Sequence, residues 1–195
     1  MTSLTYENLD DETRRLMIEE ITADIEEGRG DPARGLYISS YLNETGARMW
    51  PELLLEAVRT GRDDTLARDL NRRGAFKAQV ERRKPRGGFT MARVPVTAAD
   101  TLAEAQFNMY YMRALGLRAI ELGVGLVVYR AKRVENPRST SEQMIGTMLD
   151  PADVLAALRS TRGVNPPTHI PLPNTGITVR LGAAKPALGI RAVGG

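Results

Sequence analysis

Several residue types that build catalytic and metal sites are missing or scarce in this chain of 195 residues. There is no cysteine, which excludes disulfides, thiolate zinc sites, iron–sulfur clusters and cysteine nucleophiles. There is a single histidine, His169, so a metal centre with two histidines is excluded as well. A Ser–His–Asp triad would have to use His169, which lies among prolines in THIPLP. These absences favour a protein that is not an enzyme and that uses no metal or cofactor.

Long apolar runs are also missing. No stretch approaches the ~20 apolar residues that span a bilayer, and the first residues, MTSLTYENLDDE, lack the basic and apolar regions of a signal peptide. Aromatic residues make up only 5% of the chain, although 42% of it is hydrophobic, so the core must consist largely of aliphatic side chains. The sequence therefore predicts a protein that is made in the cytoplasm, has no membrane partner and folds around one core.

Acids and bases are unevenly distributed along the chain. Residues 1–31 hold ten acids and three arginines, a net charge of −7, although the whole chain carries +3. Residues 72–93 hold eight Lys or Arg against one Glu, and residues 164–195 hold no acid. Charge that is segregated in this way predicts separate contact surfaces, an acidic one and a basic one.

Apolar periodicity and capping signals predict a small α+β domain that is mainly helical with a few short strands. Helices are expected over 10–27, 51–60, 63–72 and 97–122 and from Pro151 to about Gly163. Residues 124–134 are expected to form a strand, and 36–41 a shorter strand-like piece. The pair 51–60 and 63–72 fits an ordinary αα-hairpin or a helix-turn-helix, although its second helix offers no clear base-reading face. Gly116, inside the longest helix, predicts a closely packed neighbour.

Two segments are predicted to leave the core. In residues 77–96, Pro85, Gly87 and Gly88 interrupt any helix, so this segment is expected to be an extended basic arm or an open hairpin. The globular domain, with this arm, would span 1–163, and the Pro/Gly-rich residues 164–195 would form an extended C-terminal tail. Within the tail, the string GITVRL at 176–181 is predicted to add as a strand to the sheet of a partner.

The basic cluster of the arm is the sharpest candidate site. Contact with nucleic-acid phosphates needs charge and reach, and docking onto an acidic protein surface needs the same properties; a solubilising loop is the third interpretation. Phe89 is the one aromatic near the cluster, which disfavours a platform for stacking bases. Arm and tail together supply eight residues predicted to bind a partner: Arg82, Arg83, Lys84, Arg86, Arg93, Ile177, Val179 and Leu181.

Several strings, taken together, resemble one protein family. They include Tyr6-Glu7-Asn8-Leu9, Leu36-Tyr37-Ile38-Ser39, Val94-Pro95-Val96-Thr97, Tyr111-Met112-Arg113, Val128-Tyr129-Arg130-Ala131-Lys132 and Asn136-Pro137-Arg138. Over most of residues 5–181 the chain resembles a family of proteins that tailed phages and prophages carry alongside virion structural genes. The chain departs from the family pattern at 28–35, which is an insertion, and at 183–195, which is an extension.

The resemblance implies a structural component of the virion. Such a component would be a capsid-associated decoration or cement protein, or an element of the head–tail connector. It would bind a capsid protein, a connector protein or copies of itself through its arm and tail, as a homo-oligomer or within a larger assembly. The family has no catalytic motif whose residues could be carried over. The alternative is a basic DNA-binding accessory protein that contacts the phosphate backbone through residues 82–93.

Overall fold

A computed structural model describes residues 3–31, 33–85 and 87–184 of the chain. It confirms the predicted α+β class, with helices in the majority and two small sheets. In chain order the elements are α1 (Asp11–Gly30), α2 (Glu44–Thr60), α3 (Asp63–Arg72), β1 (Gln79–Arg83), β2 (Phe89–Arg93), α4 (Ala98–Leu122), β3 (Val124–Arg130), α5 (Ser139–Met144), β4 (Met148–Leu149), α6 (Pro151–Thr161) and β5 (Ile177–Ala184).

Helix α4 forms the centre of the domain. Its side chains are buried on several sides, because α1, α3, α6 and the sheet of β3 and β5 all pack against it. Gly116 lies where α4 meets the start of α6, and a Cβ built at Gly116 would lie 3.2 Å from the carbonyl oxygen of Pro151. The close neighbour that this glycine predicted is therefore the N-terminal turn of α6.

Local capping residues set the ends of several helices. The Asp150 carboxylate accepts hydrogen bonds from the first amides of α6, as its place before Pro151 predicted. The Asn43 side chain caps α2 in the same manner, so that α2 begins at Glu44 and Pro51 lies inside the helix. The prediction of a separate helix that starts at Pro51 is therefore wrong.

Two further local predictions are also wrong. Helix α1 does not stop at Gly28 but continues to Gly30. Gly28 packs against Gly35, and a Cβ built at Gly28 would lie 2.9 Å from the Gly35 Cα atom. Residues 36–41 form no strand, and the bridge between Leu42 and Phe76 is the β-type contact that follows them.

The larger sheet includes residues that the sequence assigned to the tail. Its strand order is β4-β3-β5, and both neighbouring pairs are antiparallel. Strand β5 lies along β3, with Val179 opposite Val128 and Ile177 opposite Arg130. Ile177 and Val179 are fully buried in this chain's own core. The prediction of an extended tail from residue 164 is therefore wrong for the residues up to Ala184, because this part packs on the domain. Residues 185–195 of the predicted tail lie outside the described residues.

Candidate partner-binding hairpin

The arm predicted over residues 77–96 is a two-stranded antiparallel hairpin made of β1 and β2. Its register runs from Gln79 opposite Arg93 to Arg83 opposite Phe89. At its tip, the Lys84 N–H donates to the Gly88 oxygen at 2.9 Å. Gly87 and Gly88 have φ angles of 89° and 76°, which L-residues with a Cβ rarely adopt. The two glycines that interrupted the helical pattern are therefore the residues that let the chain reverse.

The hairpin projects from the domain with little support. Within its described part, no residue of β1 or β2 is buried, and the two strands pair with each other alone. Two side-chain hydrogen bonds join it to the domain: Arg82 Nη2 donates to the Tyr41 hydroxyl at 3.1 Å, and Lys77 Nζ, just before β1, donates to the Ser40 oxygen at 2.9 Å. Exposed apolar residues of this kind are available for contact with another molecule.

The register places apolar and basic side chains together on one face of the hairpin. Residues directly opposite each other in an antiparallel pair share a face, and the face alternates along each strand. Arg83 with Phe89, Glu81 with Met91, and Gln79 with Arg93 therefore share one face. On this face, which we call the apolar–basic face, Phe89 is 62% exposed and Met91 is 59% exposed. Exposed apolar side chains between arginines are typical of the centre of a protein–protein contact.

The positive charge of the hairpin is not compensated within the described chain. Its described basic residues are Lys77, Arg82, Arg83, Lys84 and Arg93. None of these side chains forms an ion pair with a described carboxylate. Glu81 is the one acid that the hairpin carries. The field of these side chains therefore extends into solvent, where it attracts an acidic partner.

The acids of residues 1–31, by contrast, are mostly paired inside the chain. Glu20 and Asp24 are buried and bind Arg113 of α4. Others bind arginines on their own helix or on neighbouring elements: Glu7 with Arg180, Asp10 with Arg118, Glu12 and Glu19 with Arg15, Glu26 with Arg29, and Glu27 with Arg34. In the part of the chain that the structure describes, folding therefore leaves the basic side chains of the hairpin without ion pairs, while most acids of residues 1–31 bind an arginine.

The eight predicted partner-binding residues divide between two places. Arg82, Arg83, Lys84 and Arg93 lie on the hairpin. Arg86 lies outside the described residues. Ile177, Val179 and Leu181 lie in β5, in a different sheet, and the first two are buried.

This placement corrects the prediction that β5 is a free strand of the tail and that Ile177 and Val179 face a partner, because both side chains are buried in this chain's own core. β5 pairs with β3 of its own chain, and Leu181, which is partly buried, lies opposite Leu126. Phe89 and Met91 were not among the predicted residues. Their alternation with Arg93 in β2 was visible in the sequence, but their exposure and shared face depend on the strand register.

No family model, curated protein or solved structure matches this chain. Within the described residues, no helix is both long and apolar enough to cross a membrane. Those residues also hold no cluster of three or more His, Asp or Glu side chains that could bind a metal ion. The candidate site therefore rests on the geometry of the hairpin itself, which is suited to binding.

Proposed function

We propose that this protein is a structural component of a tailed-phage virion, a decoration or cement protein or an element of the head–tail connector. In this proposal the hairpin docks the protein onto a capsid or connector protein. The observation that carries the proposal is the apolar–basic face, where Phe89 and Met91 are exposed beside uncompensated arginines. The family resemblance of residues 5–181 supplies the setting.

The mixture of side chains on this face supports a protein partner. Phosphate binding needs cations alone, and exposed Phe and Met contribute little to it. Aromatic, Met and Arg side chains are enriched where proteins bury surface against each other, because they combine large apolar area with hydrogen bonds. We therefore expect the partner to present an apolar depression bordered by carboxylates.

The internal pairing of acids supports a partner other than a second copy of this chain. Docking of the hairpin on α1 of a neighbouring copy would require carboxylates that Arg15 and Arg29 already bind. Breaking those ion pairs would offset part of the attraction between the copies. Any self-association would then have to use contacts outside the hairpin.

A DNA-binding accessory role is the second candidate, and one observation favours it. The end of the two-stranded ribbon carries three consecutive cations, Arg82, Arg83 and Lys84. They lie beside the turn that contains Gly87 and Gly88, which projects from the domain. A two-stranded ribbon fits the major groove of DNA, and consecutive cations suit the phosphates on either side.

Co-sedimentation tests the first role. The purified chain is mixed with virions of the phage that encodes it, and the bound fraction is measured after centrifugation. We expect the double variant Phe89→Ser, Met91→Ser to bind at least about thirtyfold more weakly, because loss of an interface hot spot weakens binding by about 2 kcal/mol or more. Both side chains are largely exposed, so the variant should unfold at the same temperature as the original chain. Wild-type protein that stays in the supernatant would contradict the role.

A DNA retention assay across salt concentrations separates the two roles. The triple variant Arg82→Gln, Arg83→Gln, Lys84→Gln is compared with the Phe89, Met91 variant. DNA binding that falls steeply with salt, disappears in the triple variant and survives in the apolar variant would favour the accessory role. Virion binding that depends on Phe89 and Met91, without such DNA binding, would favour the assembly role.

A further inference from the structure

A groove elsewhere on the domain is lined by no residue of the apolar–basic face. Two cavities, of about 480 and 210 Å³, share Arg138, Asn165 and Leu172 in their walls and so form one elongated depression. The first half of α4 lines one side, and the loop between α6 and β5 lines the other. Two adjoining cavities of this size can accommodate a short stretch of extended chain.

Part of the wall and rim of this groove is apolar. Ala98, Leu102 and Ala105 come from one face of α4, because they are spaced at helical intervals. Val96, which lies between the lining residues Pro95 and Thr97, is 95% exposed. Val164 lines the groove and is also exposed. Such a rim is suited to an occupant that brings aliphatic side chains.

One buried polar atom in the groove lacks a partner. Gln106 is 1% exposed and lines the larger cavity. Its Nε2 atom donates to the Arg162 oxygen at 3.4 Å, but its Oε1 atom accepts no hydrogen bond from any described residue. A buried carbonyl oxygen is costly to leave unpaired, so this site suits an occupant that supplies a donor such as a peptide N–H.

Arg138 determines the charge that the groove accepts. It is the one charged side chain among the described residues that line the two cavities, and it lies where they join. It forms no ion pair with a described carboxylate. The uncapped first turn of α4 adds positive potential, since Thr97 makes no side-chain capping hydrogen bond and lines the same cavity. The groove is therefore complementary to a carboxylate.

We propose that this groove binds an extended peptide segment of a partner protein, with an Asp or Glu placed beside an aliphatic side chain. The carboxylate binds Arg138, a backbone N–H donates to Gln106 Oε1, and the aliphatic side chain packs between Ala105 and Leu172. No residue of the apolar–basic face lines this site, so it applies whichever partner that face takes.

Selection from a random dodecapeptide display library tests the proposal on the full chain. We expect enriched peptides to carry Asp or Glu within a few positions of Leu, Ile or Val. Ala105→Phe, which fills the groove, and Arg138→Gln should each weaken binding of these synthesised peptides at least tenfold. Arg133→Gln removes the charge of an exposed arginine that does not line the groove, and it should leave binding unchanged.

Gln106→Met provides a further check that does not depend on charge. It keeps the size of the side chain and removes the acceptor, so it should weaken peptide binding while the chain keeps its unfolding temperature. The Phe89→Ser, Met91→Ser variant changes no residue that lines the groove and should bind the peptides normally, which separates failure of this proposal from failure of the hairpin's role. Enriched peptides that lack acids, that bind the Arg138 and Ala105 variants equally well, or that fail to emerge at all would overturn the proposal.

Discussion

At the scale of single residues, the most consequential side chain is Arg113 in the middle of α4. Its side chain is 2% exposed, and it donates two hydrogen bonds to Asp24, of 2.6 and 3.0 Å, and one of 2.6 Å to Glu20. Burial disfavours its charged form, but hydrogen bonds to Asp24 and the nearby carboxylates outweigh this and raise its pKa. Because Arg159 of α6 also binds Glu20, the cluster joins α1, α4 and α6.

Removal of this guanidinium should destabilise the domain strongly. Arg113→Met leaves Glu20 and Asp24 buried without their main partner, and such a loss costs about 3–5 kcal/mol. Urea denaturation measures the change in the free energy of unfolding. Arg159→Gln is the matched control, because Arg159 binds the same Glu20 from a half-exposed position and its loss should cost under about 1 kcal/mol. Equal losses in the two variants would contradict a structural role for the buried cluster.

The contribution of Asp63 to the free energy of unfolding changes with pH in the direction opposite to that of most acids. It is fully buried at the start of α3 and accepts hydrogen bonds from the Ser3 hydroxyl and, at 3.2 Å, from the Leu4 N–H. Burial raises the pKa of Asp63 above its ordinary value of 3.8, and these hydrogen bonds only partly offset the rise. The folded chain therefore binds this proton at a higher pH than the unfolded chain does.

It follows that the Asp63 carboxylate lowers the free energy of unfolding at neutral pH, and that this penalty fades as pH falls towards 3.8. We expect wild type to gain stability relative to Asp63→Asn as pH falls from 7 to 4. Urea denaturation of both chains measures the difference, in which the effects of other acids cancel. A stability difference that is constant over this range, or that changes in the opposite direction, would show that Asp63 ionises normally in the folded chain.

At the scale of elements, β5 shows how a strand acquires its partner. Asn108 of α4 holds its first residues, because its Nδ2 donates to the Ile177 oxygen at 3.0 Å and the Thr178 hydroxyl donates to its Oδ1 at 2.5 Å. At the other end, the Leu181 N–H donates to the Asn8 side chain at 3.0 Å. Asn108 and Asn8 therefore satisfy two backbone groups of β5, the Ile177 oxygen and the Leu181 N–H, that could otherwise pair with another strand.

The burial of β5 makes a direct prediction. Val179→Ala removes two methyl groups from a fully buried position, and we expect it to lower the free energy of unfolding by about 2 kcal/mol. Val164→Ala makes the same change at an exposed position and should cost under about 0.5 kcal/mol. Thermal or urea unfolding distinguishes the two. A Val179→Ala chain as stable as the Val164→Ala chain would mean that β5 does not belong to the core.

The hairpin differs from β5, because its own turn residues specify it while few contacts with the domain hold it in place. Pro85 and two glycines interrupt the helical pattern and predicted an extended arm or an open hairpin, and the structure has the hairpin, with its second strand at Phe89–Arg93. Prediction of the arm therefore succeeded from the sequence alone. The register, which brings Phe89 and Met91 between Arg83 and Arg93, follows from the length of the turn and could not be read from periodicity.

At the scale of the whole molecule, the central fact is where charge remains after folding. The chain has a net charge of only +3, but its acids are drawn into ion pairs around α1 while the hairpin keeps its cations. A nearly neutral body with one basic projection approaches an acidic partner in a preferred orientation. The groove that contains Arg138 adds a second positive feature, so we expect both partner-facing sites of this protein to select carboxylates.

The sequence by itself determined the α+β class, most helix ends and the existence of the basic arm. These features depend on neighbours a few residues apart, through caps, apolar spacing and glycines that permit positive φ. Only the tertiary structure decided that β5 joins β3, that Glu20 and Asp24 bind Arg113, and that Gln106 lies in a groove. Such contacts join residues far apart in the chain, 93 positions for Arg113 and Glu20, and local patterns carry no information about which distant segment a strand or a charge will meet.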